Sequence, residues 1–556
     1  MTRISRLNVF ATSVAILLIL GTSPAFGQAF TANLTGVLSD PSGGVIPGAT
    51  VLLTNTSTNE KRTAATRADG RYIFSQLLPD SYSLSVSAPG FKAFLRQGIT
   101  LSANQTAEVN VALQVGATTE RIEVTEAAPP LDTQTADQDM RFSTNSVENL
   151  PLNTRTPFGF IRANGGFQEA FDIRNANGDQ NYDRFGINGG RTESSAILID
   201  GVSATSGSQW NGLIYSPTVD SVQEMQVISN SYDVQFGRSG GAVVSIVTKG
   251  GSDSFHGSGF EYFRNSALDA TDFFTNLNGK RKPFFGRNQF GGSLGGPIWK
   301  SKNLFFYGSY EGLLEGTPST RLTSVPTALQ HQGDFSQTYN SNGTLQAVYD
   351  PATTVVDSAG AATRSPFPGN RIPASRFDPV GAKVMAIYPL PNQPGNAFTN
   401  SNNWFGAAKN VTNTERYDLR FDWVRSQKHT MYVVWSQAPV EVQRSPNFPG
   451  WGIGETGTYA PNPRSHATFG NTFTPSPTWV VNILAGYGEW TENTIPNVKT
   501  PGTAIGLSPS LVNQFQAPGD FPQFTLSNYA TLGAYETLHH PESTRLLESN
   551  VTKQLS

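Results

Sequence analysis

The sequence predicts a mainly β protein in three parts: an N-terminal β-sandwich, a mixed α/β middle domain and an incomplete antiparallel transmembrane β-barrel. Three observations predict it. Short alternating strands separated by Gly, Pro and Asp-Gly turns fill the first part of the chain. Later hairpins carry large apolar residues on one face and charges on the other. The connections joining those hairpins are alternately very short and very long.

Composition sets the limits. The chain has 556 residues, enough for several domains. Charged residues make up 15 %, against about 25 % in ordinary soluble domains. The formal net charge is -3, so the basic excess of a nucleic-acid binder is missing. Cysteine is absent, which excludes disulfides and thiolate chemistry.

The first segment, residues 1–27, has the parts of a secretory signal. Arg3 and Arg6 give the positive end, Val9 to Leu20 the apolar core, and Ala25 and Gly27 the small residues before cleavage. The expected cut follows Gly27, with Ala29 as the alternative. The apolar run is short of the ~20 residues of a spanning helix. No later segment is as apolar, so any further membrane contact must be made by strands.

Residues 28–115 read as the sandwich. "FTANLTGVLSD" and "ATVLLTNTST" alternate, with "PSGGVIPGA" as the turn between them. Asp69-Gly70 and Pro79-Asp80 punctuate the strands that follow, and "VNVALQV" closes the set. These pieces resemble the carboxypeptidase regulatory-like domain, a transthyretin-like sandwich. That resemblance implies a non-catalytic module, acting as a spacer or as a binding domain.

Residues 116–135 are polar and contain Pro, as a linker does. Within them "ERIEVTEA" could lie extended and add to a partner's sheet edge. It is similar to a TonB box, the segment by which outer-membrane receptors are gripped from the periplasm. The candidate energy-coupling residues are Glu120, Arg121, Ile122, Glu123, Val124 and Thr125.

Residues 136–250 mix one short helix, in "SVENLPLNTRTPFGF", with strands and Gly turns. "GINGGRTESSAILIDGV", "VQEMQVISN" and "FGRSGGAVVSIVTKGG", in that order, resemble the plug domain of TonB-dependent receptors. They are most similar to the large Oar-like receptors, which carry the regulatory-like sandwich before the plug. The resemblance implies that "SSAILIDGV" and "GGAVVSIVTKGG" hold the plug in the lumen by hydrogen bonds to the wall.

Residues 251–556 read as the N-terminal part of the barrel. In Glu415 to Gln437, Tyr417, Leu419, Phe421 and Trp423 share one face. Arg416, Asp418, Arg420 and Asp422 share the other. In an outer-membrane barrel the first set faces lipid and the second lines a wet lumen. Two further hairpins span Arg287 to Leu313, turning at "WKSK", and His466 to Trp490, turning at Pro475 to Pro477. Between them Glu311 to Val411, Ala438 to Ser465 and Thr491 to Leu538 read as long outer loops. The alternation test finds roughly eight to ten strands, against about 22 in a plugged transporter. Ser556 falls inside an expected strand, so the expectation is a cut reading frame or a fragment.

No catalytic site emerges. Gly237-Arg238-Ser239-Gly240-Gly241 fits a nucleophile-elbow pattern, but an elbow needs a helix after the serine. The β-branched "AVVSIVT" that follows predicts a strand. His256, His331, His429, His466, His539 and His540 lack a zinc spacing. His539 and His540 read as a loop pair. Asn175 to Asp183 is rich in oxygen side chains but lacks the spacing of a calcium loop, and Asn278 to Pro283 is a charged turn. No cofactor or metal is expected.

The resemblance as a whole implies a TonB-dependent outer-membrane receptor of a Gram-negative-type bacterium. Its partners would be a TonB-ExbB-ExbD-type inner-membrane complex, outer-membrane lipid and an imported ligand. A siderophore, an oligosaccharide and a peptide all remain open. The alternative is a surface adhesion or assembly protein that uses the sandwich and the outer loops without transport.

Overall fold

The computed structural model describes residues 31–553 except 118–119, 125–137, 151, 153–154, 170–184, 192–193, 206–212, 231–235, 237–238, 272, 278, 280, 446–447, 449–460, 477, 496–499 and 534–537. The expected signal segment, the Asn175 to Asp183 stretch and Thr125 therefore lie outside the described residues.

The sandwich holds β1 (Ala32–Ser39), β2 (Thr50–Asn55), β3 (Lys61–Ala65), β4 (Arg71–Leu77), β5 (Asp80–Ser87), β6 (Ala93–Leu101), β7 (Thr106–Glu108) and β8 (Val111–Ala112). One sheet runs β4-β1-β7, with β8 also on β1; the other runs β3-β2-β5-β6. Alternation does the work: every second residue of β1 is buried, Leu34 and Leu38 among them. They meet Val51, Leu84, Val86 and Ile99 in a core of the sandwich's own. The Tyr72 hydroxyl donates to the Val109 carbonyl across that core at 2.5 Å. Gly36 lets the backbones close up, since a Cβ there would stand 1.9 Å from the Val109 oxygen.

The linker expectation needs one correction. Residues 121–124 form β9 (Arg121–Val124), which pairs in parallel with β6 and becomes the fifth strand of the second sheet.

The middle domain holds β10 (Gln138–Ser143), β11 (Phe167–Glu169), β12 (Phe185–Ile187), β13 (Ala196–Ile199), β14 (Val202–Ser203), β15 (Val222–Asn230) and β16 (Val243–Thr248). Its main sheet runs β10-β15-β16-β13-β14. β16 is buried along its whole length, antiparallel to β15 and parallel to β13. That explains why "VVSIVT" is β-branched on both faces. β13 and β14 turn on Asp200 and Gly201, both at positive φ, as a tight two-residue hairpin requires. The single expected helix becomes two short ones, Thr144–Asn149 and a 3-10 turn at Pro157–Ala163.

The rest is one large sheet with a folded cap. Its strands are β17 (His256–Asn265), β18 (Gly286–Trp299), β19 (Leu304–Thr323), then β20 (Val355–Val356) and β21 (Ala362–Thr363) in the cap, β22 (Trp404–Ser426), β23 (His429–Gln437), β24 (Val440–Gln443), β25 (Pro461–Asn462), β26 (Arg464–Ser476), β27 (Trp479–Thr494) and β28 (Leu538–Lys553). The wall runs β17-β18-β19-β22-β23-β26-β27-β28, with β24 and β25 extending it beside β22. All its long neighbours are antiparallel. β17 and β28 are its two edges, so the barrel is not closed.

The two faces of β22 separate as expected. Leu419, Phe421 and Trp423 are 39–43 % exposed, whereas Arg416, Asp418, Arg420 and Asp422 are 3–7 % exposed. The apolar set faces outward, where lipid belongs. At the short-turn end three outward tryptophans each sit beside a cation: Trp299 with Lys302, Trp423 with Arg425, Trp479 with Lys553. Amphipathic rings of this kind mark a membrane–water boundary. Tyr310 and Tyr417, 5.2 Å apart, begin a second ring further up. Along β27, Trp479 to Tyr487 covers about 27 Å, the height scale of a barrel's apolar band.

Three loop expectations are corrected. β19 continues to Thr323 and β22 begins at Trp404, so both ends of Glu311 to Val411 are strand. These strand tops are polar, because above the bilayer no lipid selects for alternation. The remaining loop sequence is folded too: Val325, Tyr388, Phe448, Phe521 and Leu532 build a second core above the wall. His539 and His540 are not in a loop but in β28, opposite Asn493 and Glu492.

Candidate functional site

The inner face of the wall meets the middle domain along a buried polar seam. β22 supplies the centre of it. Successive side chains of a strand alternate, so residues 416, 418, 420 and 422 form one inward row. Register then sets Ser309 and Ser436 on either side of Asp418.

Asp418 is saturated with donors. Ser436 Oγ donates to it at 2.8 Å, Ser309 Oγ at 3.1 Å and the Thr218 amide at 3.2 Å. The Tyr215 hydroxyl donates to it as well. Two of these donors come from the wall and two from the middle domain, so one carboxylate ties the two bodies together.

Arg420 holds the next level. Its Nη1 donates to the Thr248 carbonyl at 2.8 Å, where β16 ends, and its Nη2 to Asp422 at 2.9 Å. Asp200 lies 3.7 Å from Nη1 and accepts from the Thr248 amide at 2.9 Å and hydroxyl at 2.7 Å. Burial pushes the Asp200 carboxyl up, and the Arg420 charge pulls it back. The Gly251 amide donates to Asp422 at 3.2 Å. The expected wall contacts of the "GGAVVSIVTKGG" strand are thus made at its end, by Thr248 and Gly251. The "SSAILIDGV" strand reaches the wall through Asp200, and Val202 packs on Gly486 of β27.

A third level joins Arg155, Asp220, Glu311 and Arg416. Arg416 Nη1 lies 2.7 Å from Glu311, which stands 3.8 Å from Arg155. Arg155 also pairs with Asp220 and stacks on Phe260 at 4.0 Å. The Tyr307 hydroxyl donates to the Asp220 carbonyl at 2.5 Å. Buried charges of this kind cost solvation and are kept only with full partner sets. Glu311, Arg416 and Asp418 are 1–3 % exposed, so at these levels the wall's inner face is covered by protein, not the open wet surface expected.

Below the seam, at the short-turn end, sits the sandwich. Leu78 and Ala103 from its loops join Val202 and Val247 of the middle domain and Tyr432, Val434 and Leu484 of the wall in one apolar cluster. Asn104 donates to Gln226 at 3.0 Å, and Asn482 to Gln76 at 3.0 Å. Between the three bodies lies a cavity of about 530 Å³, lined by Asp80, Lys249, Ser252, His256 and Asp422 among others.

The remaining candidates fall as follows. Ser239 Oγ donates to the Ala242 carbonyl at 2.7 Å, and strand β16 follows where an elbow needs a helix. The histidines are dispersed: His429 lies 2.9 Å from Asn471, His540 2.7 Å from Glu542, and His466 is buried against Tyr215. Among the described residues no three metal-capable side chains come together. Residues 121–124 stand on the sandwich edge, away from the seam. The seam itself was half visible in sequence. The charged row of β22 signals an inner face, but nothing in Tyr215, Thr218 or Asp200 announces its partner.

Comparisons with known proteins agree with this architecture. A family described as "Outer membrane beta barrel domain" matches residues 247–556. "Carboxypeptidase regulatory-like domain" matches residues 33–114. The TonB-dependent transporter Oar of Myxococcus xanthus is 33 % identical over 297 residues, which is 51 % of this chain and 27 % of Oar. The outer-membrane transporter YddB of Escherichia coli aligns with a TM-score of 0.44 at 11 % identity, over 75 % of this chain and 45 % of that one. A ferric enterobactin receptor of Pseudomonas aeruginosa, PfeA, aligns at 0.37 and 10 %, over 75 % and 46 %. The chain thus spans about a quarter of the curated relative's length and under half of these solved chains.

Proposed function

The chain belongs to the outer-membrane β-barrel family, and from that premise we propose that it is part of a TonB-dependent receptor. In this reading residues 136–250 are the plug and residues 28–115 a periplasmic module. A ligand binds the folded outer loops and the top of the plug. An inner-membrane complex of the TonB-ExbB-ExbD type pulls on Glu120 to Thr125, and the plug rearranges to let the ligand through. The outer membrane has no nucleotide supply, so uphill uptake needs such a partner.

The observation that carries this reading is the seam. A plug that must hold and then shift needs contacts that water can replace. The Asp418 and Arg420 levels consist of hydrogen bonds and ion pairs, whose loss inside a wetting lumen is partly repaid by solvation. A plain apolar core would resist that exchange. The uptake reading also accounts for the cavity below the plug, which lies on the exit side. Nothing at Ser239 or among the histidines supports an enzymatic step.

The test is uptake in a strain deleted for the gene and then complemented. Labelled ferric siderophores, oligosaccharides and peptides are offered with and without a protonophore. Accumulation that needs the gene, the proton gradient and Arg121 to Val124 supports the proposal. Uptake unchanged by deleting Arg121 to Val124 would sink the coupling assignment. Loss of surface adhesion with no effect on any uptake would favour the adhesion reading instead.

A further inference from the structure

β9 is not a free tail. It lies parallel to β6 in the register Ala93–Arg121, Phe94–Ile122, Leu95–Glu123 and Arg96–Val124. The Ala93 amide donates to the Glu120 carbonyl at 2.8 Å. Side chains reinforce the pairing: Lys92 Nζ lies 2.7 Å from Glu120, and Gln97 Nε2 donates to Glu123 at 2.5 Å. β9 is also the last strand of its sheet among the described residues. One edge of it is paired with β6, and no described residue pairs with the other, whose N–H and C=O groups are the template for a further strand. Arg121 and Glu123 are exposed, while Ile122 and Val124 are half-buried.

We propose that the sandwich is a docking platform for the coupling partner. It holds Arg121–Val124 as a preformed edge strand, and the partner adds its own strand to the free edge of β9. The sheet then grows from five strands to six, with β9 shared. This rests on the reading of Glu120 to Thr125 as the coupling segment, and it gives the regulatory-like domain a role in that step.

The physical argument is preorganisation. An extended peptide in water must be ordered before it can pair, and that cost falls on the binding step. On β6 the backbone is already extended and its register is fixed by four residue pairs. The partner implied is a periplasmic protein with an unpaired sheet edge. Its strand would offer a carboxylate to Arg121 and a cation to Glu123, the two side chains that β9 leaves exposed.

The chain contains no cysteine, so a single engineered pair tests the arrangement. Adjacent strands run about 4.8 Å apart, within the roughly 4.4–6.8 Å that a disulfide spans. Phe94→Cys with Ile122→Cys in the full chain should cross-link and lock β9 onto β6. The probe is the purified periplasmic domain of a TonB-type protein from the same organism, and the reduced form of the same variant is the control. On the platform proposal, oxidation leaves binding within about twofold of the reduced form. A loss of about tenfold or more, restored by reductant, means that the partner displaces β9 from β6. That overturns the platform and leaves the coupling assignment standing. Failure of the disulfide to form in the folded chain overturns the pairing itself. Unchanged binding after deletion of Arg121 to Val124 is a different failure, that of the coupling assignment.

Discussion

Asp418 concentrates the seam into one side chain. Asp418→Ala would strand the Tyr215 hydroxyl, the Thr218 amide and two serine hydroxyls in a dry interface. At 1–3 kcal/mol for an unsatisfied buried group, we expect a loss of about 3 kcal/mol in the attachment of the middle domain. Asp418→Asn keeps the shape and one acceptor and should lose less. Hydrogen exchange at Thr218 to Met225 reads both; equal exchange in wild type and Asp418→Ala would remove Asp418 from the seam. Glu224 makes a separate prediction. Burial pushes its carboxyl up from 4.5 to about 7, against the pull of Arg141, beneath the sandwich residues Ser102 and Ala103. A raised acid pKa in the folded state means that the folded state binds the proton more tightly. The stability that Glu224 lends the folded chain is therefore at full strength below about 4.5 and weakens as pH rises through about 7. The difference is on the order of 3 kcal/mol at most. Thermal unfolding of the middle domain, which carries Glu224 on β15, should show that slope, and Glu224→Gln should flatten it. Neither residue's role could be read from its neighbours in sequence, because both depend on partners far along the chain.

At the scale of the element, β22 shows what sequence can and cannot carry. The stretch Tyr417 to Trp423 was legible because lipid and the middle domain impose opposite demands on alternate residues. The same strand from Trp404 to Glu415 was not, because above the bilayer both faces meet water or the folded loops. The cap was illegible for another reason: Val325, Tyr388, Phe448 and Phe521 come from separate loops, so no local pattern betrays their common core. The membrane band itself makes a depth-dependent prediction. Phe421→Arg, on the outward face between the Trp423 and Tyr417 levels, should cost about 2–4 kcal/mol of insertion, whereas Asn413→Arg, higher on the same face, should cost about 0–1 kcal/mol. Folding titrations into liposomes check the pair. Equal costs would mean that the lipid boundary lies elsewhere on the wall.

For the whole molecule, the three bodies close on one another at the short-turn end. The sandwich has a complete core of its own, so its place beneath the wall depends on a small contact rather than on its fold. Ala103 is buried in that contact: it is 1 % exposed, in one cluster with Val202, Val247 and Leu484. Ala103→Glu would force a carboxylate into that cluster, and burying it unpaired costs more than leaving the contact. The sandwich should therefore undock while its own unfolding transition stays intact. The cavity beneath the middle domain would then open, because Ser57, Pro79 and Asp80 form its sandwich side. Ser252→Cys, placed on the opposite lining, reports the change in a chain with no other thiol. In the Ala103→Glu background its modification by a membrane-impermeant maleimide, added from the short-turn side in proteoliposomes, should be about tenfold faster, the ratio that a contact worth ~1.4 kcal/mol would hold back. An unchanged rate, with the sandwich shown to be released by proteolysis within residues 116–135, would mean that the middle domain and wall seal the cavity without it. The module would then be a tether for β9 and no part of the cavity's closure.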